Sequence, residues 1–335
     1  MSQPRYDVVG IGNAIVDVLG RTEDDVLARL DVPKGAMMLI DEPRAEAIYA
    51  AMAQTMEMSG GSAANTIVGC GMLGLKPAFI GKVRNDQLGA SFGHGIRAAG
   101  VDFPTAAATD GPATARCYIL VTPDGERTMN TYLGAAQNLS PADVDAETIA
   151  ASGVTYLEGY LWDPPEAKKA FLKAAEIAHG AGRKVALTLS DSFCVDRYRD
   201  EFLGLIRAKT VDIVFANESE LKSLYQTADF ASALDALRAE ASLAIVTRSE
   251  QGAIAVEGTT LVSAPAFPVD KVVDTTGAGD LFAAGFLSGH ARGLGHEMSL
   301  RLGALCAAEI ISHMGARPAV ALHTHVAATD DEARE

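Results

Sequence analysis

The sequence predicts an α/β fold with a mostly parallel central sheet, its length enough for one large domain with an accessory piece or for two modest domains, and three observations carry that reading. From residue 140 onward, short β-branched runs alternate with helix-length amphipathic segments, the pattern of βαβ units. Apolar residues make up 48% of the 335, enough for a sizeable core. Thirty-two glycines supply tight turns and close backbone approaches.

Element by element, YDVVGI at 6–11 reads as a buried strand. GGSAANTIVGCGMLG at 60–74 reads as a glycine-rich turn opening a helix of small residues. PAFIGKV is strand-like and 86–99 helix-like. Residues 113–133 alternate around Pro123–Asp124–Gly125, a hairpin in which proline presets φ and glycine supplies a positive one. Helices are then expected at 140–150, 164–180, 192–208 and 217–239, each followed by a strand: VTYLEG, KVALTLS, VDIVFA and LAIVTR. Residues 252–263 read as a second hairpin, and helices near 278–292 and 296–312 close the fold. Neither 14–50 nor the hairpin fits the βαβ rhythm. They are expected to form a small β-rich lid, from about 14–50 and 105–135, beside the crevice where open α/β sheets bind ligands. Residues 325–335 are expected to be a disordered acidic tail.

Composition excludes several classes. A net charge of −15 disfavours nucleic acid and anionic membrane as partners. The four cysteines, at 70, 117, 194 and 306, form no CxxC pair, so buried free thiols are expected rather than a zinc site or disulfides. The N-terminus lacks a basic and apolar leader, and no apolar run reaches eighteen residues. A cytoplasmic monomer or homodimer is expected. Gly10-Ile11-Gly12 lacks the third glycine of a dinucleotide fingerprint, and no GxxxxGK[ST] occurs.

The chemistry concentrates in DTTGAGD at 274–280. Gly277 and Gly279 permit a sharp turn with N–H groups facing outward, and the following helix adds its positive dipole end. The result is an anion hole, or a plain glycine turn with its aspartates as helix caps. An acid beside such a hole would repel phosphate if binding were its only task. Asp280 makes sense as a general base that takes the proton from an attacking hydroxyl, its pKa expected to be lowered by the dipole.

DTTGAGDLFAAGF, the glycine-rich GGSAANTIVGCGMLG, NESE at 217–220 and VVGIGNAIVD together resemble, in order, the motifs of the ribokinase-like (PfkB) family of carbohydrate and nucleoside kinases. The resemblance implies a single kinase domain over 1–335 built as a three-layer sandwich, transfer of the γ-phosphoryl group of ATP, and Mg²⁺. It makes Asp280 the catalytic base, makes the amides of Gly277, Ala278 and Gly279 the anion hole, and places Asn217 and Glu220 near Mg²⁺, through water. It places Asp274 and the Thr276 carbonyl where many relatives bind a monovalent cation such as K⁺. Asp17 falls at the position that binds substrate hydroxyls, with Asn13, Gly61, Ser62 and Asn65 completing the grip. NESE also reads as a plain capping box.

Local stretches further resemble the nucleoside branch, adenosine kinases in particular. Arg127 in TPDGERTMNTYL aligns with an arginine that contacts the transferring phosphate. Phe193 in LSDSFCVDRY and Tyr160 in LEGYLWDPPE fall where aromatics flank a purine. Ile15 and the apolar Met37–Met38–Leu39 would add to that pocket. The adenine of ATP is expected near 247–273, at Thr247, Gly252 and Val272. The acceptor is thus a small nucleoside or sugar. A sugar kinase is the alternative, and a phosphorylated sugar would call on Lys34, Lys82 or Arg84. A non-catalytic binding regulator would have lost Asp280 or the glycines, and both are present.

Overall fold

The computed structural model describes residues 4–320 and 322. The strands in chain order are β1 Tyr6–Ile11, β2 Ile15–Arg21, β3 Met37–Leu39, β4 Thr55–Gly60, β5 Pro77–Ile80, β6 Ala115–Val121 and β7 Arg127–Tyr132. They continue as β8 Ser152–Glu158, β9 Lys184–Thr188, β10 Ile213–Asn217, β11 Leu243–Thr247, β12 Ala253–Glu257 and β13 Thr260–Ala264. The acidic tail at 325–335 lies outside the described residues.

Eight strands form the main sheet in the order β13-β12-β11-β10-β9-β8-β1-β5. The run from β11 to β5 is parallel, and β12 and β13 add an antiparallel hairpin. Successive side chains point to opposite faces of a strand, so Val8 joins one core and Val9 the other. Helices Ser62–Met72, Ala278–Ala291 and Gly295–Ile311 cover the first face. Helices Pro165–Gly180 and Ser192–Arg207 cover the second. The result is the expected three-layer α/β sandwich. All four cysteines are buried and free. Among the described residues, no helix is long and apolar enough to cross a membrane.

Five strands make a smaller sheet in the order β3-β7-β6-β2-β4. It draws on both segments that broke the βαβ rhythm and adds β4, which lies outside them. Helix Asp24–Leu30 also falls within 14–50, and helix Glu42–Ala51 begins there and ends one residue beyond it. Register sorts its side chains: Asp17 pairs with Cys117, Cys117 with Thr131, and Thr131 with Leu39. Hence Asp17, Arg127, Met37 and Leu39 share one face. Val16, Val18, Tyr118 and Asn130 share the other, where Tyr118 stacks on Tyr49 at 5.8 Å.

Two expected helices are broken. Residues 217–239 form helices Glu218–Leu224 and Phe230–Glu240. Gln226 takes the left-handed conformation between them (φ 50°), and Asp229 caps the second by accepting from Ser232 N. Residues 140–150 split into a 3₁₀ turn, Pro141–Asp143, and a short helix, Ala146–Ala150, capped by Asp145. In both places a short acidic side chain competes for backbone N–H groups and restarts the helix.

Candidate active site

Helix Ala278–Ala291 starts at Gly277, whose φ of 80° is left-handed and suits glycine. Asp280 sits in its first turn. Ser62 Oγ donates to Asp280 Oδ1 at 2.6 Å, and Asn65 Nδ2 to Oδ2 at 3.0 Å. Both donors stand at the start of helix Ser62–Met72. The two helices meet so closely that a Cβ on Gly69 would lie 2.8 Å from Ala284 and from Leu281, which explains the small residues in both. Burial pushes the Asp280 carboxyl up to about 6, against the pull of Ser62, Asn65 and the Arg317 charge. The expected lowering by the helix dipole is therefore overturned: loss of water outweighs it. Near neutral pH the group is still mainly ionised.

The turn offers room for an anion. A Cβ on Gly279 would meet nothing within 4 Å. The N–H groups of a first helical turn have no intrahelical acceptor. The Ala278 N–H, one of the three expected in the anion hole, is taken by the Thr275 carbonyl at 3.2 Å.

Asp17 projects from β2 toward the same place. A Cβ on Gly60 would lie 2.3 Å from its Oδ2, so only glycine fits beneath it. Burial moves Asp17 up to about 6, countered by Arg317 and Arg127 and reinforced by Asp280. Asn13 is 3% exposed and Asn65 6%. Asn13 Nδ2 donates to Glu158 Oε1 at 2.6 Å. The Oδ1 atoms of Asn13 and of Asn65 are buried with no hydrogen-bond partner among the described residues. Gly61, with φ 103°, passes so near Asn13 that a Cβ would fall 2.2 Å from its carbonyl oxygen.

Arg127, the first residue of β7, reaches from the smaller sheet to the body. Its Nη1 pairs with Asp274 and donates to Thr276 Oγ1 at 3.3 Å. Its Nε is buried without a partner among the described residues. Asp274 also accepts from Thr276 N and Gly315 N, both at 2.9 Å. Burial alone would raise this carboxyl, but the bonds from Thr276 and Gly315, with Arg127, hold it below its usual value.

Asn217 and Glu220 form the capping box in full: Asn217 Oδ1 accepts Glu220 N at 2.8 Å, while Glu220 accepts Asn217 N at 2.9 Å and Nδ2 at 2.5 Å. Burial pushes Glu220 up to about 7. Thr247 ends β11. Gly252 takes φ 83° where a Cβ would strike Ala264 O at 2.1 Å, a turn requirement. Val272 is half exposed.

The aromatic expectations separate. Tyr160 follows β8, and its hydroxyl donates to Ser190 O at 3.1 Å. Phe193 is 70% exposed, with the Arg197 guanidinium 5.2 Å from its ring. Ile15 begins β2 on the Asp17 face. Met38 pairs in register with Asn130 and so points to the opposite face from Met37 and Leu39.

Two charged residues were not singled out by sequence. Glu158, 1% exposed, accepts from Asn13 and, through Oε2, from Ala63 N at 2.8 Å, and burial moves it up to about 7. Its only signal is a lone acid ending the apolar strand VTYLEG. Arg317 faces Asp17 and Asp280, and burial brings it down to about 10 against their opposing pull. Nothing in GARPA marks it.

An acid at an anion-binding turn, beside acceptors for hydroxyls, suits phosphoryl transfer, and comparison with known proteins bears on this. The crystal structure of adenosine kinase from Sinorhizobium meliloti is 53% identical, with a TM-score of 0.89 over 97% of this chain and 99% of that one. A probable sugar kinase from Rhizobium etli is 51% identical, with a TM-score of 0.90 over 98% and 99%. Adenosine kinase of Saccharomyces cerevisiae is 27% identical over 92% of this chain and 95% of its own length. The model of the pfkB family of carbohydrate kinases matches residues 37–322, and with the ribokinase-like fold and this site in place, the chain belongs to that family of ATP-dependent kinases.

Proposed function

We propose that the chain transfers the γ-phosphoryl group of ATP to the 5′-hydroxyl of a nucleoside, with adenosine as the preferred acceptor and AMP as product. The observation that carries this is a set of acceptors: the Asp17 carboxylate beside the buried Oδ1 atoms of Asn13 and Asn65, which find no donor among the described residues. Buried acceptors without partners are costly, and vicinal hydroxyls of a ribose would satisfy them. Above them, the smaller sheet offers Ile15, Met37 and Leu39 on the Asp17 face, with Met37 52% and Leu39 56% exposed. Exposed apolar side chains over a polar floor match a molecule with a flat base at one end and a sugar at the other.

In this mechanism Asp280 Oδ takes the proton of the attacking hydroxyl, its oxygens aimed by Ser62 and Asn65. Arg127, oriented by Asp274, turns its free Nε toward the transferring phosphoryl oxygens. The turn at Gly277–Gly279 receives the negative charge that develops there. The smaller sheet acts as a lid that keeps water from the reacting centre.

Mg²⁺ fits Asn217 and Glu220 only through water, because their oxygens are spent on the capping box and the ion retains much of its hydration shell. When bound, it neutralises charge on the nucleotide phosphates. A K⁺ ion at Asp274 and Thr276 does not fit, since the Arg127 guanidinium already meets the Asp274 charge.

The second reading, a sugar kinase, is favoured by the likeness to the Rhizobium etli protein. A phosphorylated sugar finds little support. Lys34 is paired with Asp24 and Asp124, Lys82 with Asp143, and Arg84 with the Gly111 carbonyl. ATP consumption across a panel of nucleosides and sugars tests the proposal: adenosine should give the highest kcat/KM, and a sugar that surpasses every nucleoside overturns it.

A further inference from the structure

Arg317 lies far along the chain from every motif of the site, yet it touches the one turn that serves both acids. Its Nε and Nη2 donate to the Ser59 carbonyl at 3.2 and 2.7 Å, and its Nη1 donates to the Ala64 carbonyl at 3.3 Å. Nη2 also reaches Ser59 Oγ at 3.3 Å. A single guanidinium therefore bridges the two ends of Ser59–Gly60–Gly61–Ser62–Ala63–Ala64. Gly60, inside the bridge, lies directly under the Asp17 carboxylate. Ser62, also inside it, and Asn65, one residue beyond, hold the two oxygens of Asp280.

The residues before Arg317 extend the same contact. Gly315 N donates to Asp274, the partner of Arg127. A Cβ on Gly277 would lie 3.1 Å from Ala316, so Ala316 backs the anion-binding turn. The segment Gly315–Arg317 thus meets three parts of the site at once.

We propose that Arg317 is a positioning residue of the phosphoryl transfer: it staples the 59–64 turn so that Asp17 and Asp280 are held near one another, and its charge balances the two carboxylates there. A planar fork suits this task, because it can meet two carbonyls in fixed directions while remaining cationic. The titratable groups that face Asp280 are Arg317, Asp17, Glu158, Tyr156 and Tyr160. Asp17 additionally faces Arg127 and Cys117. Arg317 is the cation common to both acids. The inference rests on Asp280 as the base and on no particular acceptor.

The test uses the full chain with MgATP and whichever acceptor proves best, so that a wrong acceptor assignment and a wrong role for Arg317 fail separately. Arg317→Gln removes the charge. Arg317→Lys keeps the charge but cannot bridge two carbonyls in the same way. Displaced catalytic groups cost about 10- to 100-fold, and that loss of kcat is expected in both variants, with KM for ATP unchanged. In Arg317→Gln the acid limb of the kcat/KM profile should also move up by about one pH unit, as expected when a neighbouring opposite charge is lost. In Arg317→Lys the limb should stay in place. A mere packing role would not separate the two variants in this way. An unmoved acid limb in Arg317→Gln overturns the proposal. Should that variant not fold, a wild-type kcat in Arg317→Lys overturns it.

Discussion

Arg127 and Asp274 lie 147 residues apart and form an ion pair whose side chains are only 10% and 8% exposed. This contact ties the smaller sheet to the body beside the Gly277–Gly279 turn. Removing one member of a buried pair strands the other charge, at a cost of about 3–5 kcal/mol. Asp274→Ala should therefore destabilise the protein strongly. Arg127→Met should do so less, because Asp274 keeps the Thr276 and Gly315 amides. In the double variant the loss should be smaller than the sum. Denaturant unfolding of the four proteins measures the coupling, and strict additivity would show that the pair contributes nothing.

Activity and the stability contributed by Asp280 should run in opposite directions with pH. The carboxyl is raised to about 6 in the folded protein. Its stabilising contribution is present below the unfolded value near 4 and is lost as pH rises through 6. Asp280→Asn cannot ionise, so its stability relative to wild type should improve on going from about pH 4 to about pH 7, by up to roughly 3 kcal/mol. The same variant should lose about 10²-fold or more in kcat, the usual worth of general-base assistance. A stability difference that stays flat with pH would remove the raised pKa. A wild-type turnover would remove the base.

The apolar face of the smaller sheet should respond to the base of the acceptor. Adenosine should slow amide hydrogen exchange across 14–50 and 113–133, and ribose should slow it less, since it gives Met37 and Leu39 no flat surface to cover. Equal protection by the two ligands would favour the sugar-kinase reading.

Much of the body was legible because its signals are local. Apolar runs, their lengths and glycine turns mark the parallel strands without reference to partners, and DTTGAGD and NESE carry their geometry within a few residues. The breaks near Gln226 and Asp143 were missed because a strong helical pattern hides a single capping aspartate. Strand β4 was missed because TMEMSG alternates weakly, and its pairing with β2 decides the matter. Met38 shows a different limit: only the register of β3 on β7 separates it from Met37. Glu158 and Arg317 could not be read at all, since each acquires its meaning from residues distant in sequence: Asn13 and Ala63 for Glu158, and Ser59, Ala64 and Asp17 for Arg317. The direction of the Asp280 shift failed likewise: the dipole is written in the local sequence, whereas the burial that outweighs it is a property of the assembled fold.

The staple at Arg317 also orders events during synthesis. Ser62 and Asn65 are made early, their partner Asp280 late, and the residue that bridges 59–64 later still. Contacts of such long sequence separation form slowly and only after the intervening chain has been placed. On the ribosome, where folding proceeds from the N-terminal side, the β1–β5 region must therefore wait with its turn unfastened. The nascent chain can bury its sheet before it can hold its two acids in place, so competence for chemistry waits until Arg317 has been made, after the sheet has taken shape.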